Sequence, residues 1–324
     1  MSIIVTGGAG FIGSCFVQKL NQVGEKEILV VDEAGADARW GNLAGKQYVD
    51  YLEKAAFIKQ VAAERLTTSV KALFHIGACS STTEQNADYL KENNLKYSQT
   101  LARWALRHGV PFFYASSAAT YGNGAQGYSD AEENIPALRP LNLYGQSKQD
   151  FDLWLLENKL TDKVVGWKYF NVFGPNEYHK GDMRSMVLKG YEQIKRDGKL
   201  RLFKSYRADY RDGEQKRDFV YVKDIIDLMW EFYLNPGVKG IFNLGAGTAR
   251  SWNDLAAAIF AALKLPVKIE YIDMPPILRD KYQYFTEADL TKLKRTGLPV
   301  KTTPLEAAVS DYVVNYLEKG NARF

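Results

Sequence analysis

The chain has 324 residues, 46% of them hydrophobic and 25% charged, with a formal net charge of +4, the composition of a folded protein with one large core or two smaller ones and not of a disordered chain. So small a charge argues against nucleic acid or a membrane surface as partner unless basic residues are concentrated in one patch, and it leaves anionic small molecules open. Cys15 and Cys79 are the only cysteines and His75, His108 and His179 the only histidines, too few for a disulfide framework or an imidazole metal site.

The N-terminal "MSIIVTGG" enters a strand without a leader, and no apolar stretch approaches the roughly 20 residues of a bilayer span. A cytoplasmic protein without membrane insertion is expected. The first strand (3–6) runs into "GGAGFIG" and then into a helical period, with Gly7, Gly10 and Gly13, or Gly8, Gly10 and Gly13, at the spacing of a dinucleotide-binding turn. Each glycine has a reason: a tight turn needs positive φ, a pyrophosphate needs backbone N–H groups unobstructed by a side chain, and the helix N-terminus supplies partial positive charge. Asp32 closes the next strand (28–32), where an acid that binds a ribose belongs. A carboxylate there suits NAD, because it repels a 2′-phosphate; Arg39 and Lys54 can offset that repulsion, so both NAD and NADP stay open.

Further strand-like runs at 72–77, 112–116 and 165–170 alternate with helical segments such as "YLKENNLKYSQTLARWALRHG". The alternation predicts an α/β fold, a Rossmann-type doubly wound parallel sheet with helices on both faces. Beyond about residue 170 the pattern loosens, returns in "RDFVYVKDIIDLMWEFYL" and "GIFNLGAG", and ends in short helices and the strand "VKIEYI". The expected organisation is an NAD(P)-binding domain over 1–170 and about 218–246, and a smaller mixed α/β substrate domain over 171–217 and 247–324.

After the strand 112–116, "YASSAATYG" places Ser116, Ser117 and Thr120 at the carboxyl edge of the sheet, where ligands bind in such folds. In "LNLYGQSKQD", Tyr144 and Lys148 share one helix face. Lys148 and an oxidised nicotinamide are two positive charges that would depress the phenol pKa, so that Tyr144 could take a proton from a substrate hydroxyl held by Ser117. Arg217 has the planar fork that matches phosphate oxygens, with an ion pair to Asp218 or Asp224 as the plainer reading.

"TGGAGFIG", "ASSAATYG", "YGQSK" and "RDFVYVKD" resemble the extended short-chain dehydrogenases/reductases. A dehydratase of that group usually has an Asp-Glu pair after the Thr of the serine segment; here Tyr121 and Gly122 follow Thr120. "HIGACSSTTEQNADYLKENN", "YFNVFGPNEYHKGDM" and "FTEADLTKL" narrow the likeness, over nearly the whole chain, to the ADP-L-glycero-D-manno-heptose 6-epimerases. That resemblance implies an isomerase for lipopolysaccharide inner-core precursors, which inverts C6 of the heptose through a transient ketone with tightly bound NADP. It implies Tyr144 and Lys180 as two bases, with Ser117 and Lys148 beside Tyr144. It implies cofactor contacts at Phe11, Ile12, Asp32, Glu33, Arg39, Lys54, Ile76, Gly77, Ala78, Cys79, Ser80, Asn93, Lys148, Val172 and Lys180. Contacts to the ADP-sugar are implied at Ser117, Asn171, Phe203, Lys204, Ser205, Tyr206, Arg217 and Tyr282, with Asp182 and Lys189 where the family usually has Ser and His. A homo-oligomer, often a pentamer, is implied as well. The alternatives are another nucleotide-sugar epimerase or reductase on the same scaffold, and a dinucleotide-sensing protein without turnover.

Overall fold

Alternate residues of the first strand face opposite ways: Ile3 and Val5 pack with Phe16, Val17 and Leu20, while Ile4 packs with Phe57, Leu101 and Phe151. That period of two, repeated in the neighbouring strands, makes a sheet buried on both faces and requires helices on each. The computed structural model describes residues 1–33, 39–66, 69–279 and 282–324. In chain order its strands are β1 (Ser2–Thr6), β2 (Ile28–Asp32), β3 (Asp50–Glu53), β4 (Val70–His75), β5 (Phe112–Ser117), β6 (Val165–Tyr169), β7 (Asn171–Phe173), β8 (Leu200–Phe203), β9 (Lys216–Tyr221), β10 (Gly240–Leu244), β11 (Ala249–Ser251) and β12 (Ile269–Ile272). The helices are α1 (Phe11–Gln22), α2 (Lys54–Ala62), α3 (Ala87–Leu90), α4 (Tyr97–Arg107), α5 (Leu143–Glu157), α6 (Met186–Asp197), α7 (Val222–Leu234), α8 (Trp252–Ala262), α9 (Pro276–Arg279), α10 (Thr291–Arg295) and α11 (Leu305–Tyr312).

Seven strands form one parallel sheet in the order β10-β6-β5-β4-β1-β2-β3, which is the doubly wound arrangement expected. Helices α1 and α7 pack together on one face; α2, α4 and α5 cover the other. Phe74 and Phe113 stack at 4.5 Å in the centre. Two smaller sheets lie outside: β11-β9-β7, in which β7 is parallel and β11 antiparallel to β9, and the parallel pair β12-β8. The strand Lys216–Tyr221 therefore joins β7 and not the large sheet, whereas β10 returns to the large sheet beside β6.

Two local expectations are corrected. The strand read at 72–77 runs from Val70 to His75, because Gly77 leaves the strand to pack on the glycine turn, where a Cβ would stand 2.9 Å from Gly7 N. The helix read across 89–109 contains a π turn at Lys91–Lys96 between α3 and α4. Inside that turn the buried Asn94 exchanges hydrogen bonds with both backbone groups of Cys79, at 2.9 and 3.0 Å, and donates to Ser147 Oγ at 3.0 Å, satisfying partners that a regular turn would face elsewhere. Among the described residues, no helix is long and apolar enough to cross a membrane.

Candidate active site

The carboxyl edge of the large sheet opens into a cavity of about 850 Å³. Its floor is the glycine turn. Gly7 has φ +68°, and a Cβ there would lie 2.6 Å from Gly77 Cα; at Gly13 a Cβ would lie 2.0 Å from Gly7 O. Side chains are therefore sterically excluded from the turn. Gly10 precedes α1 in an extended conformation, and no side chain caps it, so first-turn N–H groups of a twelve-residue helix face the cavity with the helix's positive end.

Asp32 ends β2 with its carboxylate tied to the turn, accepting from Ala9 N at 2.9 Å and from Glu33 N at 2.8 Å. Burial raises its pKa, and those two donors and Arg39 pull it back. Arg39 reaches Asp32 at 3.4 Å and Glu33 at 3.3 Å. Lys54 contacts Glu33 and donates to Asn93 at 2.8 Å. The cavity wall thus carries two carboxylates and two cations side by side. Ile76, Gly77, Ala78, Cys79 and Ser80, from the segment after β4, line it too.

On the other side stand Ser117, Tyr144 and Lys148. Asn142 caps α5 by accepting from Gly145 N at 2.7 Å, which starts the helix just before Tyr144. Lys148 is buried and donates to Ala115 O at 2.8 Å, fastening α5 to β5. Burial pushes its pKa down to about 8, while Asp152, one turn further along, draws it back up. The Tyr144 phenol is raised by burial, and a hydrogen bond with Ser117 opposes the rise. In the protein by itself burial outweighs the hydrogen bond with Ser117, so the phenol stands above its ordinary pKa; the expected depression relies on Lys148 together with an oxidised nicotinamide. Beneath them, Asp152 and Lys168 pair at 2.6 Å without solvent exposure, and Asp152 also accepts from Tyr114 OH and Ser116 Oγ, each at 2.8 Å. Lys168 continues to Thr120 Oγ1 at 2.8 Å, so the serine segment is held from below.

Lys180 arrives from the loop between β7 and α6. Its ammonium sits 5.5 Å over the Phe11 ring, and its pKa is lowered by burial and raised by Glu177. Asn171 and Val172 line the same cavity.

The remaining expected residues lie outside the cavity lining. Arg217 is buried, with its guanidinium 5.6 Å over Trp252 and 5.2 Å over Tyr282, and it donates to Lys216 O at 2.8 Å and to Gln283 O. It pairs with neither Asp218, which accepts from the N–H groups of Ala246, Gly247 and Ala288, nor Asp224, which accepts from Thr303. Phe203 meets Tyr282 edge-on at 6.3 Å. Lys204 and Tyr206 both contact Asp273 at 3.1 Å, and Ser205 N donates to Asp212 at 2.7 Å, on an outer loop. Asp182 is exposed, and its carbonyl accepts from Lys189.

The structure adds liners that the sequence reading passed over: Tyr89, Tyr169, His179, Arg184, Phe219 and Trp252. Ser251 and Asp254 form a capping box that opens α8 at Trp252, a signal readable as a helix start. It does not say that the indole meets Arg217.

A family model described as the NAD dependent epimerase/dehydratase family matches residues 3–245. The chain belongs to that family. Among this member's relatives, an ADP-L-glycero-D-manno-heptose-6-epimerase of Nitratidesulfovibrio vulgaris (strain DP4) is 52% identical over 314 residues, 97% of each chain. The crystal structure of the Helicobacter pylori ADP-L-glycero-D-manno-heptose-6-epimerase is similar at a TM-score of 0.80, with 27% identity over 97% of this chain and 95% of that one. A Thermus thermophilus UDP-glucose 4-epimerase in complex with NAD matches at a TM-score of 0.76, with 25% identity over 97% and 98% of the two chains. This member of the epimerase/dehydratase family is an epimerase, and the nicotinamide cofactor of the family fits its cavity. The bare glycine turn, the uncapped end of α1 and Asp32 make a dinucleotide cradle that any Cβ at Gly7 or Gly13 would fill.

Proposed function

We propose that the protein inverts C6 of the heptose in ADP-glycero-manno-heptose, with NADP held tightly in the cavity, as a cytoplasmic step in the supply of lipopolysaccharide inner-core precursors. One observation carries this reading: Tyr144 on α5 and Lys180 on a separate loop line one cavity with Ser117 and the glycine turn. The carbon to be inverted lies beside no carbonyl, so direct removal of its proton is prohibitive. When bound, the nicotinamide supplies a hydride acceptor and then a hydride donor, so that a secondary alcohol becomes a ketone and is restored with the other configuration. Each epimer presents its hydroxyl from a different side. Tyr144 takes the hydroxyl proton of one epimer and the Lys180 ammonium supplies the proton of the alcohol re-formed on the other side, with the two roles exchanged in the reverse direction. Ser117, which touches the phenol, holds the substrate oxygen.

Gly7, Gly10 and Gly13 with the end of α1 hold the pyrophosphate, Asp32 and Lys148 the riboses. Arg39 and Lys54 support NADP because both are cations beside Asp32 on the cavity wall and could offset its repulsion of a 2′-phosphate, although Glu33 engages both in the protein alone. Asn171, Phe203, Lys204, Ser205, Tyr206, Arg217 and Tyr282, with Asp182 and Lys189 at the rim, take the nucleotide sugar. The approach of the Arg217 guanidinium to the rings of both Trp252 and Tyr282 supports this, since Trp252 also lines the cavity. The test is to denature purified protein, identify the released dinucleotide, and assay ADP-heptose epimerisation without added cofactor. Release of NADP and unaided turnover are expected; absence of any nicotinamide overturns the proposal, and NAD in its place reassigns the cofactor.

A further inference from the structure

The loop that brings Lys180 into the cavity is held at both ends by a single carboxylate. Glu177, 1% exposed, accepts from Gly174 N at 3.3 Å where the loop begins, and from Ser185 N and from Ser185 Oγ at 2.7 Å where it ends. Ser185 in turn caps α6 through Leu188 N at 3.3 Å. Each of these partners donates, which is the pattern that suits an ionised carboxylate, an acceptor alone. The same stretch is pinned to α1: Asn176 donates to Ser14 Oγ at 3.0 Å, and Cys15 Sγ donates to Pro175 O at 3.4 Å. Lys180 N closes the turn on Glu177 O at 3.0 Å.

The titratable groups that face Glu177 are Tyr178 and Lys180 on its own loop, Cys15 from α1 and Tyr312 from α11. Tyr144 from α5 and His179 and Arg184 from the loop share the cavity with Lys180. Among all of these, Glu177 is the charge that acts on the Lys180 ammonium against burial. Glu177 does not line the cavity itself, so whatever it does for the reaction passes through Lys180.

We propose that Glu177 is the positioning residue for Lys180: its carboxylate ties the two ends of the Gly174–Ser185 loop and provides the negative charge that keeps the Lys180 ammonium available in the cavity. The proposal rests on the role given to Lys180 above. A lysine that must both give and take a proton needs both of its forms within reach, and burial without a counter-charge favours the amine.

The experiment follows Lys180 directly. In protein labelled with ¹³C at lysine Cε, the Lys180 resonance, assigned by its loss in Lys180→Met, is titrated in wild type, Glu177→Gln and Glu177→Asp, and the pH dependence of kcat for epimerisation is measured in parallel. Glu177→Gln should lower the Lys180 midpoint by about one pH unit and turnover at neutral pH by roughly tenfold, with cofactor retained. Glu177→Asp, which draws the same charge back by one methylene, should move the midpoint in the same direction by less, and it decides the matter if the Gln variant does not fold. An unmoved midpoint in a folded variant overturns the proposal. A midpoint that moves while the pH dependence of kcat stays put leaves the hold of Glu177 on Lys180 standing and overturns the assignment of Lys180 as a base.

Discussion

Lys148 donates to the carbonyl oxygen of Ala115 across 2.8 Å, so the helix that carries Tyr144 is anchored to the strand that ends in Ser117. The anchor needs a protonated or neutral amine, but attraction of an anionic dinucleotide needs the ammonium. Burial brings the Lys148 pKa down to about 8. Dinucleotide affinity of cofactor-free protein should therefore decline as pH rises through about 8, and Lys148→Met should bind weakly with no such step. In stability the sign is reversed: the charge penalty is fully present below about 8 and disappears as pH rises toward the ordinary 10.5. Fluorescence titration of the dinucleotide at several pH values checks the first part; an affinity that is flat across pH 7 to 9 would count against it.

Tyr144→Phe and Lys180→Met should each lower epimerisation by roughly 10²–10⁴-fold, the range for removal of a positioned acid or base, with cofactor still bound. Epimerisation in heavy water should leave the inverted carbon free of deuterium. Wild-type turnover in either variant removes that residue from the mechanism, and solvent label at the carbon, read by mass spectrometry, points to a carbanion route.

The Asp152–Lys168 pair should dominate stability below the site. Both side chains are fully buried, and Asp152 has three donors to satisfy. Asp152→Ala strands a buried ammonium and should cost about 3–5 kcal/mol, while Asp152→Leu combined with Lys168→Met should recover part of that loss. Urea unfolding of wild type and the two variants measures it, and an Asp152→Ala midpoint equal to wild type would show that the network carries no weight.

Gly13→Ala should abolish dinucleotide binding, because the new Cβ would fall 2.0 Å from Gly7 O in the middle of the cradle. Gly237→Ala, where nothing lies within 4 Å, is the control and should bind as wild type does. Equal retention of cofactor by both proteins on purification would contradict the cradle.

Sequence patterns carried the parts of this molecule that obey short-range rules. The alternation of apolar strands and helices foretold the parallel sheet, and the glycine spacing foretold the bare turn before α1, because both follow from backbone sterics; the contact of Gly7 with Gly77, seventy residues on, was not in the spacing. The one-turn spacing put Tyr144 and Lys148 on one helix, but not the sign of the Tyr144 shift, which depends on burial that no spacing encodes. Trp252 under Arg217 is a pairing made by tertiary packing between distant segments, and Glu177 with Ser185 is closed by the course of an irregular loop that no periodicity describes. The strand Leu200–Phe203 passed unread because its partner, Ile269–Ile272, lies far along the chain.

The order in which the strands are laid down bears on how such a protein can diversify. After β6 the chain leaves the large sheet for β7, comes back through α7 to place β10 against β6, and leaves once more for β11 against β9. The two sheets are laced together by repeated crossings, so no contiguous block of gene carries one without the other. Exchange of a contiguous cassette spanning either sheet would carry strands of both, whereas substitution in place and growth of outer loops, such as the one between β8 and β9, leave the lacing intact.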